Sequence, residues 1–396
     1  MDRKETIIPI GPFHPLLEEP EFFKFYVEGE KVVDAEVRIG WNHRGIEKLA
    51  ESKTYEQDVF LVERICGICS TSHPFAMVQA AEDILEIEVP ERAKYIRTII
   101  GELERIHSHL LWVGLAGHFI GYHTVFMWAW KYREPVLDIF EVISGNRNHY
   151  AMFKVGGVRR DITADKIPQL LKAIDEVEKF CQMLTEAVMD DPVIQARTKG
   201  IGILKKQDAI DLCVVGPTAR ASGMAIDIRK DHPYAAYDKV PWEMVVFNEG
   251  DVFSKAAVRL LEIIESTKII RGCLKNMPSG PIDAEIREIG IGEGIGQHEA
   301  PRGEVFHYIR SNGSNYPERH KIRAPSFMNV PSFKKTVIGE SIADAALITA
   351  AVDPCYCCTE RMAVVDRDSD KVLMTGEDLI RLSQKKTEEL KIKYKT

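Results

Sequence analysis

Four of the eight cysteines in this 396-residue chain form two Cys-x-x-Cys pairs, Cys66/Cys69 in RICGICSTSH and Cys355/Cys358 in DPCYCCTER. A pair at this spacing can aim two thiolates at one ion. Cys66 and Cys355 are 289 positions apart, so a four-sulfur site exists only if the fold joins the two ends. Four thiolates in tetrahedral array suit zinc, and soft thiolates equally suit nickel and iron. Zinc motifs usually gather their ligands within tens of residues and staple small domains, a staple that a chain of this length does not need. Spacing alone leaves both readings open. Cys357, inside the second pair, is expected to stand aside from the ligands. Cys181, Cys213 and Cys273 are scattered and expected to be small buried hydrophobes.

Other residues could serve such a site. Arg302 sits in Ala300-Pro301-Arg302-Gly303, and Asp353 precedes Pro354 and Cys355. The bland reading is a salt-bridging arginine and a turn acid; the sharper one is a bidentate Arg–Asp pair beside the metal. His73 follows Cys69 by four residues and can be a capping histidine or a hydrogen-bond partner of sulfur. GPFHPLLEEP offers Glu18 and Glu19, either two exposed acids before Pro20 or a proton carrier.

RICGICSTSH, EAPRGEVFH and DPCYCCTER together resemble the large subunit of nickel–iron hydrogenases. GPFHP (11–15), WNHRGIEKL (41–49), ELERIHSHLLW (102–112), SGNR (144–147), GGVRRD (156–161) and GPTARASG (216–223) are similar to the membrane-bound, energy-converting branch and to the 49-kilodalton-type subunit of respiratory complex I. That complex I subunit lacks the four cysteines, so the likeness is to the hydrogenases. It implies Cys66 and Cys355 as terminal nickel ligands, Cys69 and Cys358 as nickel–iron bridges, and carbon monoxide and cyanide on the iron. It implies Ala300, Pro301 and Arg302 beside the metals, Asp353 as partner of Arg302, and His73 on a bridging sulfur. Proton relay falls to Glu19, with Glu18 as second choice, after the proton is first taken by a terminal thiolate, Cys355, or by Arg302. The implied reaction is reversible reduction of protons to dihydrogen. No iron–sulfur motif remains here, so the implied partners are an iron–sulfur small subunit, ferredoxin as donor and ion-translocating membrane subunits, at the cytoplasmic face of the cell membrane. Arg361 stands where classical large subunits have histidine, which implies retention of the tail through Thr396. The alternatives are altered chemistry on the same scaffold, a sulfur-compound or quinone-linked oxidoreductase, and a zinc-stapled structural subunit.

The positioning elements can be read coarsely. FFKFYVEGEKVVDAEVRIG alternates apolar and polar residues around Glu28-Gly29, which predicts a hairpin. Helices are expected over SHPFAMVQAAEDILEI, through 91–150, over Asp161–Asp190, over 250–276 and in SIADAALITAAV; GPTARASG is expected as a loop and GEVFHYIR as a strand. Leu110–Trp130 carries no formal charge over 21 residues, long enough for a membrane span, but its glycines, histidines and charged helical neighbour favour a buried central helix. The expectation is one α+β domain over 1–396: a β-rich segment (1–44), a mainly helical part (45–276) and a loop, strand and metal-motif part (277–396). Net charge of −8 without a basic block argues against nucleic acid. Sparse cysteines and a start, MDRKETIIPIGPFHP, without an apolar signal core predict a reducing compartment.

Overall fold

A computed structural model of the protein describes residues 6–14, 17, 19–286, 289–359, 364–366, 368–369 and 371–394. The expectations for Glu18 and Arg361 lie outside them. The chain opens with β1 (Thr6–Ile10), β2 (Phe22–Glu28) and β3 (Lys31–Arg38), an antiparallel sheet in that order. The expected hairpin is present, with Glu28 opposite Lys31. Alternation along β2 buries Phe23, Phe25 and Val27 on one face. That face meets Phe333 and Tyr356, with ring centroids 4.9 and 6.1 Å from Phe23. Val32 exchanges backbone hydrogen bonds with Gly339 and Glu340, so the first sheet is fastened beside the second cysteine pair.

α1 (Ile46–Ala50) and α2 (Tyr55–Glu63) follow, the latter opened by a Thr54/Gln57 capping box. Next come α3 (Ser72–Leu85), α4 (Glu91–Phe119), α5 (His123–Ser144) and α6 (Ile167–Asp190). Short β4 (Phe153–Lys154) and β5 (Gly157–Val158) form a ribbon between α5 and α6. Four short helices, α7 (Pro192–Thr198), α8 (Lys206–Asp211), α9 (Gly216–Ala221) and α10 (Ile228–Asp231), lead to α11 (Val252–Asn276). α4 packs against α5 and α11, and α6 packs against the same two helices.

β6 (Ile291–Ala300), β7 (Gly303–Asn312) and β8 (Pro317–Arg323) form a second antiparallel sheet. β6 lies directly on α3. A Cβ at Gly296 would fall 1.8 Å from the Ala76 carbonyl oxygen, so only glycine permits this approach. α12 (Pro325–Asn329), α13 (Ser332–Val337) and α14 (Ala345–Ala351) precede a 3-10 turn at Tyr356–Cys358, after which come β9 (Val364–Val365), β10 (Val372–Met374) and α15 (Gly376–Tyr394), which is exposed over 381–393. One hydrophobic cluster takes in side chains from Phe23 to Tyr356. The class is α+β, as the patterning predicts.

Four expectations are corrected. Leu110–Trp130 is not one helix: α4 ends at Phe119, Gly121 turns the chain at φ +79°, and α5 starts at His123. No helix among the described residues is long and apolar enough to cross a membrane. α6 begins at Ile167 rather than Asp161, with Pro168 in its first turn. Gly216–Ala221 is helical rather than loop, because Pro217 is compatible with a first helical turn. Cys213 is exposed at φ +53°, whereas Cys181 and Cys273 are buried as expected.

Candidate metal centre

The first cysteine pair occupies the turn between α2 and α3. Cys66 Sγ accepts the backbone N–H groups of Ile68 and Cys69, each at 3.3 Å, which wraps the loop around the first sulfur. The start of α3 is held by Glu104 of α4, whose carboxyl accepts the Thr71 N–H, the Ser72 hydroxyl and the Ser72 N–H, the last at 3.1 Å. A carboxyl group at a helix start complements its dipole. Burial nevertheless pushes Glu104 up to about 8.

The second pair follows α14. Asp353 takes a left-handed φ of +57°, and the Cys355 N–H donates to Ser326 Oγ at 2.9 Å. Cys355 Sγ then lies 3.2 Å from Cys66 Sγ and 2.9 Å from Cys358 Sγ. The two cysteine segments, 289 positions apart, therefore meet at sulfur. The ligand atoms of Cys66, Cys355, Cys357 and Cys358 all fall within 4.8 Å of one another, and all four cysteines are free. Cys357, expected to stand aside, brings its sulfur to 3.4 Å from Cys355. Cys69 lies outside this tight group and turns its sulfur to Arg302 Nη1 at 3.6 Å. Hydrogen bonds from Cys355 first, then from Cys357 and Cys358, hold Cys66 well below the ordinary thiol range. Converging free thiols, one of them disposed to ionise, are a donor set that fits soft metals.

Arg302 stands at the tip of the β6–β7 hairpin, where Ala300 pairs with Gly303. The tip sits on α9: a Cβ at Gly216 would fall 2.3 Å from the Arg302 carbonyl oxygen, and Asn329 Nδ2 donates to the same oxygen at 3.1 Å. Arg302 is 3 % exposed. Its Nε donates to the Asp353 carbonyl at 2.8 Å, Nη2 pairs with Asp353 Oδ1 at 2.7 Å, and Nη1 donates to Ser108 Oγ at 3.2 Å. The pair with Asp353 thus engages one carboxylate oxygen and the backbone, not both carboxylate oxygens. Burial opposes the charge of Arg302, but Asp353 and then the cysteines outweigh it and hold the group well above its ordinary range. Arg302 is therefore a fixed cationic donor beside the sulfurs. Pro301 completes the tip as a buried residue, and the Ala300 carbonyl accepts Arg105 Nη1 at 3.2 Å.

Glu19 reaches the same region: its Oε2 accepts the Cys357 N–H at 2.9 Å. His73, in the first turn of α3, brings Nε2 to 3.6 Å from Cys358 Sγ, and burial pulls it down to about 4. Arg44 was not singled out from the sequence as a site residue. It donates to the carbonyls of Ile65 (2.8 Å) and Cys357 (3.2 Å) and so staples the two cysteine segments together. The signal was available, since Arg44 lies inside WNHRGIEKL. Other motif charges form a buried network instead. Glu102 meets Arg105 and Arg229, while Arg220 meets Glu262 and Glu299, each at 2.8 Å. Burial raises Glu102, yet Arg105 and Arg229 outweigh it and bring it to about 2.

Residues 44–115 match the family model for nickel-dependent hydrogenase, and residues 120–293 and 285–361 match that for the 49 Kd subunit of respiratory-chain NADH dehydrogenase. The chain is 41 % identical to the membrane-bound hydrogenase subunit alpha of Pyrococcus furiosus, over 97 % of this chain and 93 % of that protein. It is 41 % identical to the carbon monoxide-induced hydrogenase of Rhodospirillum rubrum, over 89 % and 99 %. A solved chain of the membrane-bound sulfane sulfur reductase, an archaeal respiratory membrane complex, superposes with a TM-score of 0.86 at 30 % identity, covering 91 % of this chain and all of that one. With the sulfur-rich site formed by its two cysteine segments, the chain belongs to the oxidoreductase family that unites nickel-dependent hydrogenase large subunits with the 49-kilodalton subunit of respiratory NADH dehydrogenase.

Proposed function

We propose that this chain is the catalytic large subunit of a membrane-bound, energy-converting nickel–iron hydrogenase. The observation that carries the reading is the approach of Cys66 and Cys355 to 3.2 Å, with Arg302 held over Cys69. Cys66 and Cys355 would be the terminal ligands of nickel, and Cys69 and Cys358 the bridges to an iron carrying carbon monoxide and cyanide. When bound, that centre supplies redox chemistry that interconverts protons and dihydrogen. Arg302 holds positive charge beside the sulfurs, fixed by Asp353. Protons leave by Cys355 and Glu19, whose carboxylate lies against the Cys357 backbone. Glu18 is the second candidate for that step. Ala300 and Pro301 shape the hairpin tip that holds Arg302, and His73 contacts Cys358. Electrons come from ferredoxin through an iron–sulfur cluster in a small partner subunit, and ion-translocating membrane subunits complete an assembly on the cytoplasmic face of the membrane.

A second reading has its own support. The likeness to the sulfane sulfur reductase chain, at a TM-score of 0.86, favours altered chemistry on one scaffold, and Cys357 adds a thiol to the group. One set of measurements separates the readings: elemental analysis, infrared spectroscopy and turnover of the purified complex. Nickel, carbon monoxide and cyanide bands, and dihydrogen evolution from reduced ferredoxin are expected. Nickel with sulfane sulfur reduction but no dihydrogen would favour the second reading. Stoichiometric zinc without those bands would defeat both.

A further inference from the structure

A continuous series of buried imidazoles runs behind His73. His73 Nδ1 lies 3.0 Å from His307 Nε2, His307 Nδ1 lies 2.8 Å from His320 Nε2, and His320 Nδ1 lies 2.7 Å from Asp58 Oδ2. His307, His320 and Asp58 are all 0 % exposed, and His73 is 1 % exposed. The four groups come from four elements: α2 supplies Asp58, α3 His73, β7 His307 and β8 His320. The contacts run head to tail, from the Nδ1 of one ring to the Nε2 of the next.

Counting hydrogens gives the series a direction. A neutral imidazole carries one N–H, so each ring can donate on one side and must accept on the other. An ionised Asp58 can only accept, so His320 must carry its hydrogen on Nδ1. His320 Nε2 is then bare and takes the Nδ1–H of His307. His307 Nε2 is bare in turn and takes the Nδ1–H of His73. All three rings are consequently the Nδ1–H form, and His73 shows a bare Nε2 to Cys358 Sγ, 3.6 Å away. Only one other complete arrangement has neutral rings: a proton on Asp58 Oδ2 and all three rings reversed, with His73 Nε2–H aimed at the sulfur. Intermediate patterns leave two bare nitrogens or two N–H groups facing each other in a dry interior, which is costly. Asp58 Oδ1 is buried and has no hydrogen-bond partner among the described residues, so its interaction with His320 is the main polar contact of that carboxyl.

We propose that Asp58, His320 and His307 are positioning residues that fix the tautomer and ring plane of His73, and so decide whether His73 accepts from or donates to the sulfur of Cys358. Asp58 touches neither sulfur nor metal and acts only through the two intervening rings. Second partners of this kind commonly set the orientation of groups around a metal. The consequence for a loaded centre rests on the proposed function, while the tautomer assignment does not.

Nitrogen-15 NMR of the full-length, metal-free chain labelled at histidine reads the tautomers directly. Loss of signals in His73→Gln, His307→Gln and His320→Gln assigns the rings among the 12 histidines. At neutral pH, all three rings of the parent chain should be protonated at Nδ1 and bare at Nε2. A mixed set, or a protonated Nε2 on His73, overturns the proposal without any Asp58 variant having to fold. Asp58→Asn keeps the shape but can donate as well as accept, so His73 should populate both tautomers. Unchanged His73 signals in a folded Asp58→Asn chain also overturn it. In the loaded complex, Asp58→Asn should displace the cyanide and carbon monoxide bands. If the parent complex lacks those bands, the hydrogenase reading fails and the tautomer result stands by itself.

Discussion

Asp353 accepts Arg302 Nη2 with one carboxylate oxygen at 2.7 Å and turns the other toward Arg259 Nε at 3.6 Å. One buried carboxylate thus serves two buried guanidiniums. Arg259 is itself stacked over Trp112, 4.3 Å from the ring centroid. The position of Arg302 is therefore set from behind by packing that reaches from α4 through α11 to the turn before Cys355. Removing one partner from a buried ion pair strands the other and typically costs about 3–5 kcal/mol.

Arg302→Lys tests what this arrangement is for. Arginine satisfies the Asp353 carbonyl, the Asp353 carboxylate and Ser108 from three different nitrogens. An ammonium on a flexible stem cannot meet the three at once. Metal content should persist while dihydrogen turnover falls by roughly 100-fold or more, the scale of a lost positioned electrostatic group. Turnover close to that of the parent would remove Arg302 from the reaction.

Glu19→Gln tests the proton route. Glutamine keeps an oxygen for the Cys357 N–H, so the loop geometry should survive. What it loses is the ability to take up and release a proton. Nickel content and infrared bands should be unchanged, while hydrogen–deuterium exchange with water slows about 100- to 10,000-fold. Glu18→Gln is the matched control and should do less. Normal exchange in both variants would mean that protons leave elsewhere.

Lys255 gives a pH prediction. It is 0 % exposed, and its Nζ donates to the Gly202 carbonyl at 2.8 Å. Burial, helped by Arg259, pulls it down to about 7. In the unfolded chain the lysine titrates near the ordinary value of about 10.4. Between these values the unfolded state binds more protons, so stability should rise with pH. Below about 7 both states are protonated and the full cost of burying the charge is present. Lys255→Met should flatten this rise, which thermal unfolding at pH 7, 8 and 9 would reveal as a difference between parent and variant. Parallel curves would show that Lys255 does not titrate in that range.

Local patterns were the legible part of this fold. Alternation marked β2 and β7, and helical period marked α4, α5 and α11, because burial on one face leaves a periodic trace. The two cysteine pairs were legible as chemistry through their spacing and flanking motifs. The charge-free segment misled because its total apolarity masked the break at Gly121, where a positive φ turns α4 into α5. GPTARASG misled because its glycines and proline signal a loop, yet Pro217 is favoured in a first helical turn and Gly216 is needed for the close approach of Arg302. Arg44 is marked only by its place in WNHRGIEKL, which does not say what it touches, and the series behind His73 leaves no local trace. Their partners come from elements far apart in the chain, so only the folded structure reveals that Arg44 meets Cys357 or that His73 leads to Asp58.

Gly296 couples the core to the cysteine site. A Cβ there would meet the Ala76 carbonyl oxygen at 1.8 Å and the Ala80 nitrogen at 2.7 Å. Both are backbone atoms of α3, so no side-chain rotation can relieve the clash. Gly296→Ala must therefore push β6 away from α3 or deform one of them. The start of α3 carries His73 directly after the Cys66 pair, and the far end of β6 leads into Arg302. One methyl group should act on both: a stability loss of about 3 kcal/mol or more, at the upper end for overpacked sites, together with poorer nickel retention. Gly290→Ala is the control, since a Cβ there would meet nothing within 4 Å. Denaturant midpoints and nickel content for the two variants decide the matter. If Gly296→Ala matches Gly290→Ala in both, the contact between β6 and α3 is looser than these distances require, and Arg302 is held by its contacts with Gly216, Asp353, Ser108 and Asn329.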